Sequence, residues 1–459
     1  VPSSIRVPFF ALAALPWAAC GDMPTRPDAP LDAAISARDG SLEPGTDAHT
    51  PDAGLDAALE DAGSGAMNDD TGPMPIRVTV EHVTNRHRYV PGAMFGGWGQ
   101  HLGHLVRAGG TLYWVDDACD QRVAGDCDVN VNRRVEVLRR DLAGWTSIGT
   151  LPLMGVQQNT GAIASDTALR AYGVDIVSSR MTECTFDIAT ATGGCAATAI
   201  ATGPNANYVG ASVSPAGHRI AWWTNVVDGG GGSFSYVADY GGGWNGPRSG
   251  SIAGYNDFAY AHAGFFEGSP TVLFFGQVVS GLAPAWSFGT LVGEADLTTA
   301  RAATFSNVLT PPSGETIAST NDLFVDPATS EAHLLARATS GAVVYYHRPV
   351  GGPWSAPTLL PPTSFRARFL ESPAWLAIAS GPPEGGLVVR RFERSVVARG
   401  GPLDFEAAIV EALRLPSGLG AVQGIYPEAD VTQTEPVREL AFCVVGEAAQ
   451  NDVTFFVLE

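Results

Sequence analysis

The chain has 459 residues, a formal net charge of −20, and 27 basic side chains that are all arginine. An acidic chain without a basic stripe lacks the cations that replace phosphate counterions, which argues against a nucleic-acid partner. No uninterrupted apolar run reaches the ~18 residues of a transmembrane helix, so no permanent helical span is expected.

Residues 1–20 read as an export signal. Arg6 supplies a positive start, Val7 to Trp17 form a short apolar stretch, and the small residues Ala18 and Ala19 precede Cys20. Residues 21–75 hold 12 acidic residues, two arginines and no aromatic side chain. Such a segment buries too little apolar surface to offset its ordering entropy, and a disordered acidic Asp/Ala/Pro/Gly linker is expected. The signal, Cys20 and linker together resemble those of bacterial lipoproteins, although Trp17 stands where that family carries an aliphatic residue. The resemblance implies lipidation at Cys20 and membrane attachment through the lipid. Gly21 carries no Asp-type retention signal, so the resemblance points to the outer membrane, on its periplasmic or cell-surface face.

Residues 76–459 show short β-branched and aromatic runs separated by Gly, Pro, Asn and Asp, the pattern of an all-β domain. The runs repeat. VEVLRRDLAGWTSIGTL (135–151), FSYVADYGGGWNGPRSGSI (234–252) and VVYYHRPVGGPWSAPTLL (343–360) share a strand, a Gly-rich turn, a Trp and a second strand. Val137, Tyr236 and Tyr346 each precede Trp145, Trp244 and Trp354 by eight residues, and Trp286 marks a looser copy. Upstream patterns such as GASVSPAGHRIAWWT (210–224) and NDLFVDPATSEAHLLARA (321–338) bring the number of units to seven, with ESPAWLAIASGPPEGGLVVRRF (371–392) read as one of them. Seven units of four strands predict a β-propeller, with tandem β-sandwiches as the alternative. The last unit has room for three strands, so IRVTVEHV (76–83) is expected to supply the fourth and close the ring.

The repeated Trp residues are expected to pack between blades. Close cysteine pairs suit disulfides in an oxidising compartment, here Cys119 with Cys127 and Cys184 with Cys195. The second of these falls in the unit that lacks the Trp. Cys443, inside LAFCVV, reads as a buried free thiol.

The W-S-x-P hairpin at 354–357 resembles the blades of sialidase-like propellers. That resemblance implies a carbohydrate-directed domain. The family's Asp box, Ser-x-Asp-x-Gly-x-x-Trp, is absent, and its catalytic Arg triad, Tyr nucleophile and acids find no match.

Local motifs add little. Asp126, Asp128 and Asn130 begin like a calcium loop, but Val131 and Val137 stand where Gly and Glu are needed. A solvated acidic loop is the simpler reading, and no cofactor is expected. His101 and His104 lack a zinc-enzyme pattern. Propeller ligands sit at a mouth of the central channel, and the mouth where the innermost strands begin would present His101, His104, Asn159, Asn207, Tyr208, Tyr255, Asn256, Asp257, Asn321, Asp322, Arg366, Glu371, Tyr426 and Glu428. Hydrogen-bonding groups with aromatic platforms suit a glycan, while Asn and Asp also recur in turns for local reasons. The expected function is a membrane-anchored binding module for a glycan or an envelope protein. The alternative is a divergent glycoside hydrolase or lyase using Asp257, Asp322 and Glu371.

Overall fold

The computed structural model describes residues 77–86, 103–118, 135–152, 161–165, 167–175, 178–203, 206–214, 216–225, 231–252, 254–281, 287–299, 301–429, 439–446 and 452–459. Cys20, the linker, His101, the Cys119–Cys127 pair, Asp126, Asp128, Asn130, Asn159 and Trp286 lie outside these residues.

Among the described residues, the chain is a seven-bladed β-propeller. After β1 (Val78–Thr84), blade one is β2 (Leu105–Ala108), β3 (Thr111–Asp117), β4 (Val135–Asp141) and β5 (Gly144–Leu151). Blade two is β6 (Gly161–Ala164), β7 (Ala168–Asp175), β8 (Arg180–Asp187) and β9 (Thr192–Ala201). Blade three is β10 (Ala206–Val213), β11 (Arg219–Asn225), β12 (Ser233–Asp239) and β13 (Trp244–Ser251). Blade four is β14 (Asp257–Phe265), β15 (Thr271–Ser280), β16 (Ser287–Asp296) and β17 (Thr304–Ser306). Blade five is β18 (Ile317–Val325), β19 (Ala332–Ala338), β20 (Ala342–Arg348) and β21 (Thr358–Pro362). Blade six is β22 (Arg368–Glu371), β23 (Trp375–Ser380), β24 (Leu387–Glu393) and β25 (Ile409–Leu413), with one helical turn, α1 (Arg394–Val397), before its last strand. Blade seven is β26 (Val422–Ala429), β27 (Leu440–Gly446), β28 (Val453–Leu458) and, from the other end of the domain, β1.

Within each blade the strands pair antiparallel in chain order from hub to rim, except that β1 forms the rim of blade seven. The innermost strands neighbour one another around the hub, and β2 pairs in parallel with β26 through Leu105 opposite Glu428. Middle strands such as Thr271–Ser280 are mostly apolar and buried along nearly their whole length because neighbouring blades cover both faces. The core is correspondingly divided. Seven apolar clusters fill the seven gaps between adjacent blades, one to each gap.

Three Trp residues at the rim bind blades one, three and five to the blade before. Trp145 meets Phe455 of blade seven edge-on at 5.2 Å. Trp244 donates to Glu183 of blade two and packs on Tyr172. Trp354 joins the cluster between blades four and five. Blade two has no such Trp. Phe186 fills that role against Gly149 of blade one, where even one added carbon would sit 2.6 Å from the ring. The Cys184–Cys195 disulfide pins the adjacent cross-strand pair, and Cys443 is a buried free thiol.

The reading of blade six needs correction. WLAIAS and LVVRRF are its second and third strands, and the innermost strand is Arg368–Glu371. Its charged ends belong to the hub, which concealed it among apolar neighbours.

β1 closes the ring by pairing with β28 from Val78 opposite Leu458 to Thr84 opposite Val453. Glu81 on β1 accepts two hydrogen bonds from Arg140 of blade one, at 2.7 and 3.0 Å, so β1 also bridges the seam. Among the described residues no helix is long and apolar enough to cross a membrane. A chain lacking residues 1–84 should lose roughly 2–4 kcal/mol, from the buried Val83 and the opened edge of β28. Differential scanning calorimetry should show a lower midpoint, and light scattering should show association through the exposed edge.

Candidate functional site

A cavity of about 650 Å³ occupies the hub, bordered by all seven blades. It lies towards the ends of the innermost strands. Its wall includes Arg107 on β2, Val213 on β10, Phe265 on β14, Val325 on β18, Glu371 on β22 and Ala429 on β26.

Bulges aim its central side chains. β14 is bulged between Ala259 and His262, with Tyr260 in the left-handed region at φ 52°, and β18 is bulged between Thr320 and Asp322. A bulge turns the following side chains relative to the sheet, and here it brings His262 and Asp322 of adjacent blades together. Their Nδ1 and Oδ1 atoms are 3.1 Å apart. The same carboxylate accepts from the Arg368 Nε–H at 2.9 Å, the Phe369 N–H at 2.8 Å and the Leu323 N–H at 2.9 Å. Four acceptor positions are thereby filled, about the capacity of a carboxylate.

The electrostatics follow. Burial alone raises the Asp322 carboxyl, but Arg368 and His262 outweigh it and hold the group at about 2. Burial lowers His262 below its usual 6.5, with Asp322 partly opposing. At neutral pH Asp322 is therefore a carboxylate and His262 a neutral imidazole donating Nδ1–H to it.

The other arginines of the wall are also paired. Arg107 makes a two-pronged contact with Glu428 at 2.7 and 2.8 Å across the closing seam. Arg219 binds Asp239 and Glu183, and Arg170 lies 3.3 Å from Glu183. Trp222 also lines the cavity, and its ring occupies the space a side chain at Gly210 would need.

Of the residues expected from sequence, Asp322, Glu371 and Glu428 border this cavity. The other described candidates sit elsewhere, and His101 and Asn159 lie outside the described residues. His104 is fully buried beside Trp114 and Tyr426, with Nδ1 3.0 Å from the Val115 carbonyl, and Tyr426 is buried in the same seam. Asn256 donates to the Gly281 carbonyl, and Asn321 donates to that of Ala336. Tyr255 packs against the cluster between blades three and four, and Arg366 lies 4.1 Å over the Tyr260 ring. Asn207 and Tyr208 belong to β10 and Asp257 begins β14, at the far end of those strands from the cavity. Arg107, Trp222, His262 and Arg368 were missed. Their signal was a charged or aromatic side chain within otherwise apolar strands.

No family model matches the chain, and no curated protein matches it. Solved structures do. Polysaccharide lyase Uly1 matches with a TM-score of 0.50 and 11% identity, over 83% of this chain and 99% of that one. A PL25 ulvan lyase bound to -[GlcA(1-4)Rha3S]- matches with a TM-score of 0.50 and 9% identity, over 79% and 93%. A lectin from Burkholderia pseudomallei gives 0.47 and 13%, over 77% and 94%. At these identities the likeness to the two lyases shows a shared fold.

Both folded-state values at the centre of the site lie below their usual ones of 6.5 and 3.8. The stability these groups contribute is complete above about pH 6.5 and is lost as pH falls, first through His262 and then, below 3.8, through Asp322 towards about 2. Thermal midpoints should thus be level above pH 6.5 and decline below it. Arg368→Met should cost about 3–5 kcal/mol by stranding a buried carboxylate. Adding Asp322→Asn should recover part of that loss in urea titrations.

Proposed function

We propose that the hub cavity binds a segment of a glycan, and that the chain is an exported, lipid-anchored binding module. The observation that carries this reading is a cavity whose arginines are already paired with carboxylates inside the wall. Such a wall offers fixed N–H donors and oxygen acceptors without a large excess of either charge. Sugar hydroxyls both donate and accept, and Trp222, Phe265 and Phe324 supply apolar surface for ring faces. A flat protein epitope does not fit a concave site of this size. Two proteins of the same fold are polysaccharide lyases, which supports a carbohydrate as the ligand class. The anchor rests on Cys20 and the acidic segment after it.

A second reading, a polysaccharide lyase, is favoured by one feature. His262 is a neutral imidazole oriented by a carboxylate at the cavity wall, which suits it to accept a proton. The hydrolase reading fares worse. Asp322 is ionised and saturated with hydrogen bonds, so it is not a general acid, and Asp257 begins β14 at the end away from the cavity.

Glycan arrays followed by calorimetry on the best ligand provide the test. Binding should be detected, and Glu371→Gln should weaken it about 5–10-fold, the worth of one good hydrogen bond. Silence across neutral and acidic glycans would overturn the proposal. Appearance of unsaturated sugar ends in ultraviolet absorbance, lost in His262→Asn, would establish the second reading instead.

A further inference from the structure

Away from the hub, one side-chain cluster has no role in the cavity. Glu331, His333 and His347 each present a ligand-type atom, and these atoms all lie within 4.8 Å of one another. The strand geometry explains the convergence. Glu331 and His333 are two residues apart, so they face the same side of the hairpin, and His347 on β20 is the direct cross-strand partner of His333 on β19. Both histidines are buried between blades five and six, while Glu331 keeps some contact with solvent.

We infer that Glu331, His333 and His347 form a binding site for one divalent transition-metal ion of the zinc type. Two imidazoles and one carboxylate are a donor set that zinc accepts, with a water completing four-coordination. Tetrahedral zinc with bonds of about 2.0–2.1 Å needs its ligand atoms about 3.4 Å apart, so small side-chain rotations close the present spacing.

The surroundings match what a metal ligand needs from its neighbours. Nδ1 of His333 is 2.8 Å from the Tyr345 hydroxyl, which leaves Nε2 for an ion. That hydroxyl also accepts from the Leu403 N–H at 2.9 Å, so it is held from a second direction. Glu331 Oε2 accepts from the Gly401 N–H at 2.6 Å and lies 2.9 Å from His347 Nε2. An ion would take the place of the proton now shared by that last pair. Oriented partners of this kind fix ligand geometry and raise ligand basicity. The Arg394 guanidinium, which acts on His333 from nearby, lies 3.6 Å from the buried Asp326. Because Gly401 and Leu403 belong to blade six, an ion here would clamp the blade-five hairpin to the loop after α1.

The test uses the full chain, stripped with chelator and titrated with cobalt(II) and zinc(II). Expected are one equivalent of cobalt with the visible absorption of a four-coordinate ion, its displacement by zinc, and a zinc-dependent rise in thermal midpoint. Glu331→Gln and His347→Gln should weaken binding at least 100-fold. Tyr345→Phe, which keeps every ligand, should weaken it about 10–100-fold. Circular dichroism and the unfolding midpoint identify any variant that fails to fold, and Tyr345→Phe and Glu331→Gln serve if the histidine variant does. A folded wild type without the cobalt spectrum or the zinc shift would overturn the site. So would metal binding unchanged in the folded variants, which would place the ion elsewhere.

Discussion

A four-stranded blade cannot bury both of its faces by itself, and the whole molecule answers to that constraint. Each apolar cluster is shared by two blades, so no blade is complete until its neighbours are in place. The ring must therefore close, and β1 closes it. Its pairing with β28 lets blade seven be finished from the opposite end of the domain. Arg140–Glu81, Trp145–Phe455 and Arg107–Glu428 then cross from blade one to blade seven. The last of these serves twice, since it locks the seam and forms part of the cavity wall.

Closure also creates the site. Seven innermost strands side by side leave a hub that side chains fill in part. In the seam beside it, between blades one and seven, packing dominates, as at His104, Trp114 and Tyr426. Where it is open, buried charges have to be matched. Asp322 shows the cost of position: without Arg368 and its backbone donors, a carboxylate this deep would be protonated or destabilising. A matched wall is rigid and hydrogen-bonding, a suitable surface for a hydroxylated ligand and a ready mount for an oriented imidazole.

Much of the fold was legible because it repeats. The hairpins around Trp145, Trp244 and Trp354 are the outer strand pairs of blades one, three and five, and 76–83 supplies the closing strand. The site was less legible for a physical reason. Asn256, just before β14, and Asn321, within β18, each donate to a main-chain carbonyl of the neighbouring segment, so the polar residues seen in the sequence mark local structure. His262, Asp322 and Arg368 come from three blades and meet through two bulges. One-residue shifts in register leave no trace in a hydrophobic pattern. Arg368 was further hidden because the unit read from the sequence began at Glu371, after most of its short strand. The cluster at Glu331, His333 and His347 was equally invisible, since it depends on which residues face each other across a hairpin.

On the proposed function, a ligand enters the hub. Hydrogen–deuterium exchange, with and without a bound oligosaccharide, tests it most directly. Protection is expected in the cavity-lining segments 211–214, 262–267, 322–327 and 368–371, contributed by four different blades. Protection confined to the rim strands, with the hub segments unchanged, would contradict it.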